Sequence, residues 1–150
     1  MISLFLYLIK DDLATHGLEA QWGSGLTDDM ILQPDAKGKI DDFIVMDVRR
    51  ELIDAPNPLS TYARLINRAI GYLHQGRLVI CCSAGVSRSN ALAIGLLTIE
   101  YGMNFEAAVT LVKEKVPIAD PSMCHLRQIR KLTLDYCRRI DRPRRQKDES

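Results

Sequence analysis

The sequence predicts an α/β domain of three layers, with a central, mostly parallel sheet of four or five strands flanked by helices. Three observations carry that prediction. Two runs of β-branched and large apolar residues, FIVMDV (43–48) and RLVICC (77–82), read as strands. The second has no polar alternation, so both of its faces must be covered, as in a parallel sheet. Between and after them lie segments of helical periodicity, which gives the strand–helix–strand–helix order of a parallel crossover. A chain of 150 residues, 47% hydrophobic and 26% charged, fits one such domain.

Each element follows in order. Residues 2–9 read as the first strand. The apolar start MISLFLYLI is short of the roughly 20 residues that a membrane span needs. Lys10-Asp11-Asp12 supplies neither the cationic start nor the small-residue cleavage site of a signal peptide. Residues 16–29, with Gly17, Gly23 and Gly25, read as loop, with room for one short helix before them. MILQ (30–33) reads as a short strand closed by Pro34, and Gly38 lies in the connection to FIVMDV. Asp54-Ala55-Pro56-Asn57-Pro58 is a loop, because two prolines with Asn continue neither kind of element. Ser60 is the expected cap of a helix to about His74, in which Tyr62, Leu65, Ile66, Ala69, Ile70 and Leu73 recur at three- and four-residue steps. Gly76 stops it.

After RLVICC, Ser87 or Ser89 starts a helix. Its Ala91, Leu92, Ala93, Ile94, Leu96, Leu97 and Ile99 leave almost no polar face, so it should be central and buried. Gly102 and Asn104 separate it from a helix at 105–115, which Pro117 ends. Asp120-Pro121 predicts the cap and first turn of the last helix.

Charge divides the chain in two. Residues 138–150, RRIDRPRRQKDES, hold six of the 20 Lys and Arg and three of the 19 Asp and Glu. The expected domain is therefore 1–137, slightly acidic, followed by a basic tail expected to be disordered. Such a tail is a solvated terminus, or a contact for RNA, acidic lipid or an acidic partner. Four cysteines, with Cys81 and Cys82 adjacent and Cys124 and Cys137 far away, do not make a secreted disulfide framework. A reducing compartment is expected: the cytoplasm, with the nucleus as the alternative. There is no C-x-x-C pair, and His16, His74 and His125 are the only histidines, so a zinc site is not expected.

The chemistry concentrates after the second strand. Ligands of open α/β sheets bind at the carboxyl ends of strands, where Cys82 stands. Ser83, Ala84, Gly85, Val86 and Ser87 follow, all small or short, and Gly85 can take a left-handed conformation. Such a loop can turn successive N–H groups into an anion-sized cup, and the next helix adds its positive end. Arg88 offers a fork for two phosphate oxygens. The same surroundings should lower the Cys82 thiol below its ordinary value of about 8.5. Cys81 alternates with Cys82 along the strand and should face packing. A nucleophile beside a phosphate cradle predicts phosphoryl transfer.

These residues resemble the protein tyrosine phosphatase superfamily. Cys82–Arg88 matches its Cys-x5-Arg loop, and CSAGVSRS (82–89) is similar to the loop of dual-specificity phosphatases. The likeness extends over about 40–137: the helix before the strand, the buried helix after the loop, and VKEKVPIADPSMCHLRQI (112–129). The resemblance implies a phosphatase-like fold and a two-step reaction without metal or cofactor. Cys82 attacks phosphorus, Arg88 and the loop 83–88 hold the phosphoryl oxygens, and Ser89 hydrogen-bonds the sulfur. Asp54, in the loop before the preceding helix, is the implied general acid. Asp47 is the runner-up, and Asp120 is better explained as a helix cap. Two departures stand out: Cys81 occupies the place of the family's usual His, which implies a moderately higher thiol pKa, and Val116-Pro117 replaces an Arg-Pro pair that helps support the loop.

The implied substrates are phosphotyrosine and phosphoserine/threonine proteins, because no lysine lies between Cys82 and Arg88 as in phosphoinositide-type members. A monomer without membrane attachment is expected. The alternatives are a catalytically weak phosphate-binding module, an RNA 5′-phosphatase guided by the basic tail, and a rhodanese-like sulfur carrier. The loop interior and Arg88-Ser89 argue against the last. Cys81, or Cys124 from a distance, could also trap an oxidised Cys82, although a vicinal disulfide is strained.

Overall fold

A computed structural model of the chain describes residues 6–19 and 31–148, the latter as backbone alone beyond Cys137. Five strands form one sheet: β1 (Tyr7–Lys10), β2 (Leu13–Gly17), β3 (Lys39–Ile40), β4 (Phe43–Asp47) and β5 (Arg77–Cys82). Their order across the sheet is β1-β2-β5-β4-β3. The central strand β5 pairs parallel with β2 and β4, and the edge strands β1 and β3 run antiparallel to their neighbours. Four helices follow the chain: α1 (Leu59–Leu73), α2 (Arg88–Ile99), α3 (Phe105–Lys115) and α4 (Met123–Asp148).

The alternation of β5 divides the core. Leu78, Ile80 and Cys82 pack on one face, with Tyr62, Leu65 and Ile66 of α1, nearly all of α2, Val112 of α3 and Ile129 of α4. Val79 and Cys81 pack on the other, with Leu6, Ala14, Leu18, Ile40 and Phe43. Both faces of β5 are therefore covered. Among the described residues all four helices lie on the first face, and residues of the strands and their flanks close the second. As its unbroken apolar run predicts, α2 is buried from Ser89 to Leu97.

Several local expectations are corrected. The expected loop at 16–29, with a short helix before it, gives way at its start to β2, which is buried along its length. Its pairing with β5 overrides the poor strand propensity of Ala14 and Gly17. Residues 31–33 form no strand, and residues 2–5 and 20–30 lie outside the described residues. Ser60 is not the cap of α1: Pro58 holds that position, because its fixed φ of −60° already sets the entry. Asp120-Pro121 precedes α4 by a full residue, and the carbonyl of Ser122 accepts from the N–H groups of His125 and Leu126 instead. The backbone of α4 continues to Asp148, through most of the tail expected to lack structure. Arg, Lys and Gln are good helix formers and prolong a helix already nucleated by packing.

Candidate active site

The site stands at the carboxyl end of β5, as the parallel arrangement requires. Register places Cys82 beside Gly17 and Cys81 between His16 and Asp47. Cys82 faces the helices and is 2% exposed, with its Sγ 3.2 Å from Ser89 Oγ. Cys81 points into the opposite core, where burial pushes its thiol far up and keeps it protonated.

The loop between Cys82 and Arg88 is braced from four sides. The N–H groups of Leu18 and Glu19 donate to the carbonyls of Cys82 and Ser83 at 2.9 and 2.8 Å. Asn90 Nδ2 donates to the carbonyls of Gly85 (2.8 Å) and Val86 (3.0 Å), while Asn90 Oδ1 accepts from Thr15 Oγ1 at 2.8 Å. The N–H of Asp120 donates to the Val86 carbonyl at 2.9 Å, and that of Ser122 to Ser87 Oγ, also at 2.9 Å. The five bonds to the backbone of this segment all use carbonyls and none of them uses a loop N–H, an arrangement compatible with amides turned toward an anion. Gly85 supplies the left-handed turn, at φ 75°. Ser87 holds the N-cap position of α2, but its hydroxyl serves the Ser122 brace rather than its own helix.

Arg88 closes the ring. Its guanidinium donates to Ser83 Oγ at 3.0 Å and to the Leu52 carbonyl at 2.9 Å. The second bond ties the Arg88 guanidinium to the segment that leads into Asp54. Arg68 of α1 holds that segment in turn, through a two-pronged pair with Glu51.

The two candidate acids differ in surroundings. Burial raises the Asp47 carboxyl, but the Arg49 guanidinium, at 2.7–3.1 Å from both its oxygens, outweighs this and holds the group below the usual carboxylate range. An acid held ionised is a poor proton donor. Asp54 has no Arg or Lys partner among the described residues. Its exposed side chain, 59% accessible, pairs with His125, with Oδ1 3.1 Å from Nε2. Asp120 contributes its N–H to the loop and does not cap α4, which starts at Met123. Cys124 lies on α4 with its Sγ 3.2 Å from Ser122 Oγ.

Sequence reasoning passed over the bracing residues Gly17, Thr15 and Asn90. Asn90 left a signal: it is the third residue of a helix with almost no polar face. Replacing it with alanine removes both loop bonds and orphans the buried Thr15 hydroxyl. The expected cost is about 2–4 kcal/mol. Thermal melts should show this as a drop of roughly 5–10 °C.

By sequence, the chain matches no family model and no curated protein. Its structure is similar to solved phosphatases. A mouse putative dual specificity phosphatase, solved as a complex with zinc tungstate, superposes with a TM-score of 0.67 at 17% identity, over 92% of each chain. Human DUSP28 gives 0.64 at 17% identity, over 87% of this chain and 93% of that one. The fold is that of a dual-specificity phosphatase. A third similar structure, the human tyrosine phosphatase-like serine/threonine/tyrosine-interacting protein, is 24% identical with a TM-score of 0.51. There the match spans 56% of this chain and 58% of the other. Within this phosphatase fold, the loop lacks the Arg-Pro support but keeps its brace through the backbone of Asp120 and the N–H of Ser122.

Proposed function

We propose that the chain is a cysteine-dependent phosphomonoester hydrolase acting on phosphorylated proteins, with phosphotyrosine and phosphoserine/threonine as substrates. The observation that carries this reading is the ring itself. Cys82 Sγ sits beside Ser89 Oγ at the base of a loop that the Arg88 guanidinium spans.

In the first step the Cys82 sulfur attacks phosphorus, and the bond from phosphorus to the ester oxygen breaks. Asp54 delivers its proton to that leaving oxygen. The loop amides and Arg88 stabilise the charge on the remaining oxygens throughout. In the second step water attacks the phosphocysteine, and Asp54 takes the water's proton. The P–S bond breaks to release inorganic phosphate, and Ser89 stabilises the departing thiolate. Tungstate, a tetrahedral oxyanion like phosphate, was bound in the similar mouse structure, which supports the reading.

Hydrolysis of p-nitrophenyl phosphate and of phosphopeptides tests it. Asp54→Asn should lower kcat on phosphopeptides by roughly 10²-fold or more, while Asp47→Asn should leave it nearly unchanged. Equal losses in both variants would remove Asp54 from its role. Cys81 in the place of the family's His favours a second reading, a phosphate-binding module with weak turnover. Tight phosphopeptide binding without hydrolysis would establish that instead.

A further inference from the structure

The polar chain behind Asp54 has a direction, and the direction follows from one anchored amide. Asn57 Oδ1 accepts from the N–H of Ile53 at 3.1 Å. Its Nδ2 donates to the carbonyls of Ile53 and Ala55, at 2.9 and 2.7 Å. Those three backbone bonds fix which end of the amide is nitrogen. That nitrogen faces Tyr62 Oη at 3.4 Å, and an amide nitrogen accepts no hydrogen bond, so the phenol cannot give its proton to that side. Burial holds the Tyr62 phenol above its usual value, so it keeps its proton. Among the described residues its acceptor is His125 Nδ1, 2.5 Å away. Nδ1 therefore accepts, the imidazole's own hydrogen sits on Nε2, and Nε2–H donates to Asp54 Oδ1.

His125 is fully buried, while the carboxyl that it grips is exposed. It is carried by α4, as is Gln128, whose Nε2 donates to the Asn57 carbonyl at 3.0 Å. The helix thus holds the acid loop at two points. With Oδ1 engaged by His125, the transferable proton of Asp54 belongs on Oδ2, which is left for the leaving oxygen.

We propose that His125 is a positioning residue for the general acid: as the Nε2–H tautomer set by Asn57 and Tyr62, it binds one oxygen of Asp54 and presents the other to the substrate. The proposal rests on the phosphatase reading and adds to it a device outside the phosphate-binding loop.

The test uses two monoesters, p-nitrophenyl phosphate with a leaving group that needs little protonation and phenyl phosphate with one that needs more. His125→Phe should lower kcat on phenyl phosphate by roughly 10- to 100-fold, with a far smaller loss on p-nitrophenyl phosphate. His125→Gln, which returns an N–H near the position of Nε2, should recover part of the loss. Tyr62→Phe, which frees the tautomer without emptying the site, should give a milder version of the same selectivity and serves if His125→Phe does not fold. Combined with Asp54→Asn, His125→Phe should add little. Equal losses on both esters, or additive losses in the double variant, would overturn the proposal. So would a histidine-ring nitrogen NMR spectrum showing the proton of His125 on Nδ1, which needs no activity at all. Wild type inactive on both esters would instead defeat the phosphatase reading.

Discussion

Cys82→Ser is expected to abolish hydrolysis, with a fall in kcat on the order of 10⁴-fold or more, and Cys81→Ser to leave most of it. The two cysteines are neighbours in sequence and opposites in environment. Cys82 lies on the helix face of β5, at the base of the loop and beside Ser89. Serine there offers an oxygen that is far harder to ionise than sulfur. Cys81 packs with Leu6, Ala14 and Val79 on the other face, where burial suppresses its ionisation. Its replacement puts a hydroxyl into an apolar site, at a cost of about 1–3 kcal/mol in stability rather than in chemistry. Steady-state kinetics beside thermal melts separate the two effects. Tungstate binding adds a control: Cys82→Ser keeps Arg88 and the loop, so it should still bind the oxyanion. Turnover surviving in Cys82→Ser, or vanishing in a folded Cys81→Ser, would contradict the assignment.

The second large effect comes from a residue that touches no substrate. Gly17→Ala should cripple the site and destabilise the fold. A Cβ at Gly17 would stand 2.5 Å from the Ala84 carbonyl carbon, 2.6 Å from its oxygen and 2.8 Å from the Gly85 nitrogen. All three are backbone atoms of the braced loop and cannot rotate away. A Cβ at Gly85 would meet the Gly17 nitrogen at 2.8 Å, on a backbone already at φ 75°. Relief requires β2 or the loop to move, and a shift of about 1 Å at a catalytic loop costs on the order of 10² in rate. Gly71→Ala is the contrast. It lies on the exposed side of α1 with nothing near its would-be Cβ. That substitution should stabilise the protein by about 0.5–1 kcal/mol. The comparison is read from melts and from kcat/KM on p-nitrophenyl phosphate. Normal activity in Gly17→Ala would show that the loop tolerates displacement.

What could be read from the sequence was what declares itself locally. RLVICC carried its strand assignment to the residue, and so did the helix at 105–115, between its Asn104 cap and Pro117. The loop after β5 was visible because Cys82, Gly85 and Arg88 lie within seven residues. β2 was not, since LATHG has neither apolar alternation nor β-branched density. It is a strand because β5 lies beside it, a fact that the 59 residues between Gly17 and Arg77 conceal. Asn90 and His125 were hidden for the same reason. Each is a single polar residue whose partners, Thr15 and Asp54, are 75 and 71 positions away. The caps of α1 and α4 were each misplaced by two residues, where Pro58 and Ser122 take the positions assigned to Ser60 and Asp120.

The contact between Gly17 and Gly85 has an implication for how this end of the molecule comes into being. The anion cup has no floor until the first hairpin has docked on the centre of the sheet. A fragment starting at β3 would contain every residue named in the reaction and still lack the surface on which the cup is moulded.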